Sequence, residues 1–184
     1  PTTGAAPCRS PARPTVLAHR ACTATPTAHV RPRVQKSQRQ NAHCIGWLTI
    51  EEMIDEAVVQ RDNAYYLNRD YRGYHNVNGA IFLEETCDLS TRPYTLMLYG
   101  HNMKTGAMFG SLRNYENMTY YRNNPFITFD TAYEDGRYVI FAVSTVSLDR
   151  LDDRYVDFAK PNAEWIDQSS EALDVPMACL LYDA

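Results

Sequence analysis

The run Pro125-Phe126-Ile127-Thr128-Phe129-Asp130-Thr131-Ala132-Tyr133, then Glu134-Asp135-Gly136, then Arg137-Tyr138-Val139-Ile140-Phe141-Ala142-Val143-Ser144-Thr145-Val146-Ser147 decides the fold class. Two stretches rich in β-branched and aromatic residues, joined by an Asp-Gly turn, predict a β-hairpin in which Gly136 takes the positive φ of the turn. The second stretch is apolar at successive positions over 138–143, which suits a strand buried on both sides better than an edge strand.

Upstream the same texture repeats. Tyr94-Thr95-Leu96-Met97-Leu98-Tyr99-Gly100 reads as a strand that ends at a glycine, with His101 immediately after it. Ala80-Ile81-Phe82-Leu83 follows an Asn78-Gly79 turn and reads as another. Ile45 to Ile50 and Ala57 to Gln60 read as strands, although Thr49 with Glu52 would equally open a helix as a capping box. Met108, Leu112 and Tyr115 recur at helical spacing and predict a short helix; residues 149–159 and 162–172 read as helical too. Many short strands with few helices and polar turns predict a mostly β chain, an antiparallel sheet or barrel with peripheral short helices.

The 184 residues fit one domain, and the net charge of −4 hides two unlike pieces. Residues 1–40 hold seven of the eighteen basic residues, six of the ten prolines and no acid. Such a stretch buries too little apolar surface to offset its ordering entropy, so it is expected to be a disordered basic tail rich in Pro, Ala, Thr and Arg. Arg31, Arg33, Lys36 and Arg39 are its densest charge cluster, but no aromatic side chain interleaves them, which argues for a solvated tail and no nucleic-acid partner. Residues 41–184 form the folding unit and carry the acidic excess. No segment has the apolar length of a membrane span. The five cysteines Cys8, Cys22, Cys44, Cys87 and Cys179 are odd in number and widely spaced, which signals neither a disulfide framework nor a metal site, and no phosphate-binding loop is present, so no cofactor is expected.

His101 is the residue singled out for chemistry, since an imidazole titrates near neutrality and this one sits at a strand end where loops expose groups to ligands. Tyr99-Gly100-His101-Asn102-Met103-Lys104, with Gly106, Met108-Phe109-Gly110 and Leu112, resembles the signature of the class B sortases, cysteine transpeptidases of Gram-positive cell surfaces. The resemblance runs over roughly residues 44–160, through Gly46-Trp47-Leu48, Val58-Val59-Gln60, Asp62-Asn63, Tyr65-Tyr66-Leu67, Gly79 to Leu83 and Pro125-Phe126-Ile127. It implies an eight-stranded β-barrel in which Cys, His and Arg surround a groove for an extended sorting peptide. The Cys thiolate would attack the sorting signal at a threonine to give a thioester, and His101 would act as acid and base. An arginine would stabilise the oxyanion. Surface proteins with a C-terminal sorting signal and a cell-wall amine are the implied partners, and the outer face of a Gram-positive membrane is the implied location.

The chain departs from that pattern at its end. The family's nucleophile closes a Thr-Leu-x-Thr-Cys type strand, with the arginine on the next strand, whereas here Met177-Ala178-Cys179-Leu180-Leu181-Tyr182 lacks the threonines and no arginine follows. Cys179 is the candidate nucleophile by place alone. Arg92, Arg113 and Arg137 match no catalytic position. The domain is therefore expected to lack its last strands and to be inactive, and the out-of-frame composition of residues 1–40 leads to the expectation that another reading frame or flanking DNA encodes an anchor and the missing strands. Asp62, Asn63, Tyr65 and Tyr66 read as a loop packed on the barrel, and the tyrosines from 115 to 121 as core or groove lining. The alternative function is a non-catalytic protein that binds an extended peptide in the remaining groove.

Overall fold

The computed structural model describes residues 12–18, 32–91, 95–146 and 177–183. The strands are β1 (Ala12–Ala18), β2 (Cys44–Ile50), β3 (Ile54–Val59), β4 (Ile81–Leu83), β5 (Thr95–His101), β6 (Phe126–Thr131), β7 (Asp135–Val146) and β8 (Met177–Asp183). They close into a barrel in the order β1, β5, β4, β3, β2, β6, β7, β8, with β8 pairing back to β1. Two α-helices, α1 (Pro32–Gln40) and α2 (Met118–Asn123), and short 3-10 turns flank it. The mostly β class and the barrel are as the sequence predicts.

Alternation in the sequence sets the inward face. Along β2 the side chains of Cys44, Leu48 and Ile50 are buried, while those of Ile45, Trp47 and Thr49 are partly exposed. Leu48 and Ile50 join Val58, Ile81, Leu83, Leu98, Ile127, Phe129 and Ile140 in the barrel core. β3 and β4 are parallel, which requires a crossover, and residues 60–80 supply it. Its 3-10 turn (Tyr65–Asn68) packs over the outside of these strands, so Cys44, Ala57, Val59, Tyr66, Ala80 and Phe82 form a second apolar cluster. Asp62 caps this turn by accepting from the Ala64 and Tyr65 amides, and Asn63 bonds Glu84 and Glu85; the segment packs on the barrel as read. Tyr115 is buried in the core, and Tyr121 donates to the Ile140 carbonyl.

Several expectations are corrected. β6 and β7 do form an antiparallel hairpin, with Phe126 opposite Val139 and Asp130 opposite Asp135. The turn, however, is Thr131–Glu134, closed by the Thr131 hydroxyl accepting from the Tyr133 and Glu134 amides, and Gly136 lies in β7 without positive φ. A side-chain oxygen satisfies the turn, so the chain reverses before the Asp-Gly pair. β7 is an interior strand between β6 and β8, but Tyr138 and Ile140 are buried while Val139 is partly exposed, so its two faces are not equally covered. The segment after Ile50 is a tight turn, not a helix, and Glu52 takes φ 62 in it. Met108 to Tyr115 is a 3-10 helix (Phe109–Glu116) rather than a regular one. The helices read at 149–172 lie outside the described residues.

Within residues 1–40 the described residues form β1 and α1. β1 pairs with β5 and with β8, because the open sheet edges supply main-chain partners that composition cannot register. Helix α1 begins at Pro32, buries Val34 and Ser37, and is tied down by Arg33, which bonds Asp55 at 2.6 Å and lies over the Trp47 ring. The charge cluster thus faces the barrel in part. Among the described residues, 41–184 contribute seven of the eight barrel strands and β1 supplies the eighth.

Candidate active site

His101 is the last residue of β5, not the first beyond it, and is 7% exposed. Its Nε2 lies 2.6 Å from the Leu67 carbonyl oxygen, and its Nδ1 is buried with no hydrogen-bond partner among the described residues. The crossover brings Leu67 there. Its 3-10 turn is seated by buried Tyr66, whose carbonyl accepts from the Ala80 amide at 3.0 Å. Gly79, at φ 63, runs past the ring so closely that a Cβ would sit 3.0 Å from His101 Cδ2, 2.9 Å from the Leu67 oxygen and 2.7 Å from the Tyr66 oxygen.

Beyond His101 the chain turns through residues 102–108, pinned by a bridge between Asn102 and Met108. Gly110 then packs against the Met103 main chain. Arg113 donates Nε to the Gly110 carbonyl at 2.9 Å and Nη2 to Asn102 Oδ1 at 3.3 Å, which ties the segment after the histidine to the 3-10 helix. Arg137 stacks over Phe126 on the far hairpin; Arg92 lies outside the described residues.

Cys179 is not brought to this histidine. In the register Cys179 pairs with Val16, which pairs with Met97, whereas the β1 partner of His101 is Ala12. Four residues along and two strands across correspond to about 16 Å between main chains. Of the other thiols, Cys44 is buried and Cys87 partly buried, neither is in a disulfide, and burial pushes both above the ordinary thiol value; Cys8 and Cys22 lie outside the described residues. Thiols held protonated are poor nucleophiles.

A cavity of about 410 Å³ is lined by Glu56, Asp70, Asn76, Asn78, Gly79 and Met108 among others. Desolvation, with the neighbouring Asp55 charge, raises the Glu56 carboxyl. Among the described residues no group of three or more His, Cys, Asp or Glu is gathered as a metal would require. Sequence reasoning found His101 but missed Gly79 as its neighbour; the Asn78-Gly79 pair marked a turn, and nothing in it pointed to an imidazole.

The β-barrel, with an imidazole buried at the end of the strand that follows a parallel crossover, matches solved sortase B structures. The curated Sortase B of Listeria monocytogenes is 31% identical over 131 residues, which is 70% of this chain and 53% of that protein. Sortase B of Staphylococcus aureus is 30% identical over 112 residues, 60% of this chain and 45% of that protein. The crystal structure of sortase B from B. anthracis in complex with AAEK1 superposes with a TM-score of 0.61 at 28% identity, over 80% of this chain and 69% of that one. No protein-family model matches the chain. The chain is similar to the class B sortases over 60–70% of its own length, and it spans about half the length of the curated relatives it matches.

Proposed function

We propose that this chain carries the acid and base centre of a cysteine transpeptidation that cleaves a C-terminal sorting signal and joins the protein to a cell-wall amine. A thiol would give its proton to His101 and attack the carbonyl at the threonine. The C–S bond forms, the C–N bond breaks, and the departing amine takes the proton from the imidazolium. The incoming amine then attacks the thioester, gives a proton to the imidazole, and the sulfur leaves as thiolate. Surface proteins with a sorting signal would be the substrates, at the outer face of a Gram-positive membrane. The observation that carries this reading is the buried imidazole at the end of β5, with one nitrogen on the Leu67 carbonyl and the other unpartnered.

Cys179 is the thiol to test as nucleophile. Its main chain lies about 16 Å from that of His101, farther than the two side chains can bridge to the roughly 3 Å of direct proton transfer, which supports an inactive state for this form of the chain. The same separation favours a second reading, non-catalytic binding of an extended peptide. One experiment decides: the chain is mixed with a sorting-signal peptide, acylation of Cys179 is sought by mass spectrometry, and peptide binding is compared with that of His101→Ala. No acylation with saturable binding unchanged in His101→Ala supports the binder. A thioester at Cys179, lost in His101→Ala, supports the enzyme and overturns the inactive state. Neither acylation nor binding refutes both.

A further inference from the structure

We propose that the Leu67 carbonyl and Gly79 clamp His101 in a single tautomer, with the proton on Nε2 and Nδ1 left as the nitrogen that exchanges protons with the reacting groups. A carbonyl oxygen has no hydrogen to give, so a contact of 2.6 Å between it and Nε2 requires Nε2 to be the donor. In the neutral ring the lone pair then belongs to Nδ1, which is buried and has no partner among the described residues. A bare buried nitrogen is unfavourable, and a reacting N–H or S–H would relieve it.

Gly79 is the positioning residue. The Leu67 carbonyl can meet the ring only if the 76–80 segment passes without a side chain, because a Cβ there would press on both Leu67 O at 2.9 Å and His101 Cδ2 at 3.0 Å. The segment cannot swing aside cheaply: the Ala80 amide bonds Tyr66 O, the Asn76 amide bonds Asn68 O and the Gly79 amide bonds Asn76 O, all within 3.0 Å. Positive φ at position 79 adds a second reason for glycine. Each proton of the proposed cycle then uses one atom. Nδ1 receives it from the thiol, passes it to the departing amine, receives it from the incoming amine and returns it to sulfur.

The role of Nδ1 rests on the transpeptidase reading, whereas the tautomer does not, so the two fail separately. The test is ¹⁵N NMR of the full chain labelled at histidine, about two pH units above the ordinary imidazole value of ~6.5. His101 is assigned by the signal lost in His101→Asn, and exposed His75 serves as the unclamped reference. The expected result is one tautomer for His101, with Nε2 protonated, Nδ1 unprotonated and a visible slowly exchanging Hε2, against a rapidly exchanging mixture for His75. Gly79→Ala should lose the Hε2 resonance and shift His101 toward the mixture while the His43 signals persist. A protonated Nδ1, a mixture like that of His75, or a folded Gly79→Ala with unchanged His101 signals would overturn the clamp. If Gly79→Ala does not fold, the wild-type tautomer alone decides.

Discussion

Gly110→Ala should be among the most damaging small substitutions in the segment after His101. A Cβ on residue 110 would collide with the Met103 carbonyl oxygen and lie 2.9 Å from the Met103 carbonyl carbon and amide nitrogen. Ordinary contacts between such atoms need about 3.5–4.0 Å, so the Met103 peptide must retreat by about 1 Å. All three atoms are main chain, and the oxygen already accepts from the Gly106 amide at 2.9 Å, so no rotamer change relieves the clash. Overpacking costs about 1–3 kcal/mol, and this case belongs at the upper end. About 3 kcal/mol lowers Tm by roughly 6–12 °C in a chain of this size. Gly106→Ala is the comparison, since a Cβ there meets nothing within 4 Å and the cost is only that of a side chain at φ 84, about 1–2 kcal/mol. Urea unfolding of both variants, followed by circular dichroism and Trp47 fluorescence, measures the difference at matched m-values. A Gly110→Ala protein within about 0.5 kcal/mol of the parent, or one more stable than Gly106→Ala, would refute the close approach.

Three further outcomes are expected. Desolvation raises the Asp55 carboxyl, but the hydrogen bond from Trp47 and the Arg33 charge outweigh it and hold the group below its ordinary 3.8; its contribution is therefore complete above that value and lost as pH falls through the lower folded value. Asp55→Asn should cost about 0.5 kcal/mol at neutral pH, since the pair is largely exposed, and the difference from wild type should vanish in acid titrations of stability. Glu52→Gly should stabilise by about 0.5 kcal/mol in chemical denaturation, because relief of the positive φ exceeds the added unfolded-state entropy. Tyr66→Phe removes the hydroxyl that accepts from Asn41 at 2.6 Å and meets His43 Nδ1 at 2.9 Å, and should cost about 1–2 kcal/mol with a shifted His43 NMR signal.

Where side-chain type decides structure, the sequence was readable. Alternation in β2 and β6, the β-branched runs and the block around His101 all carry their meaning in residue identity. Main-chain events were not readable in the same way. The turn at Thr131–Glu134 won over Asp135-Gly136 because one hydroxyl could serve two amides, and the Leu67 carbonyl belongs to a group that every residue possesses. Nor does composition report that a proline-rich segment can be held by strand edges on either side. Four residues of β1 pair with β8, and Pro14, which has no amide hydrogen to donate, lies outside those four.

The pairing of β1 with β8 also fixes when the barrel can close during synthesis. Thr15 meets Leu180, so β1 must wait for β8 to leave the ribosome before the two can pair. At about 5–20 residues per second that is a delay of roughly 8–30 s. Once residue 101 is made, β5 is complete for the rest of that interval while one of its edges depends on a seven-residue strand without its second neighbour. A chaperone that shields strand edges on the nascent chain would have its greatest effect in that window, and a slow stretch of translation before residue 177 would lengthen it.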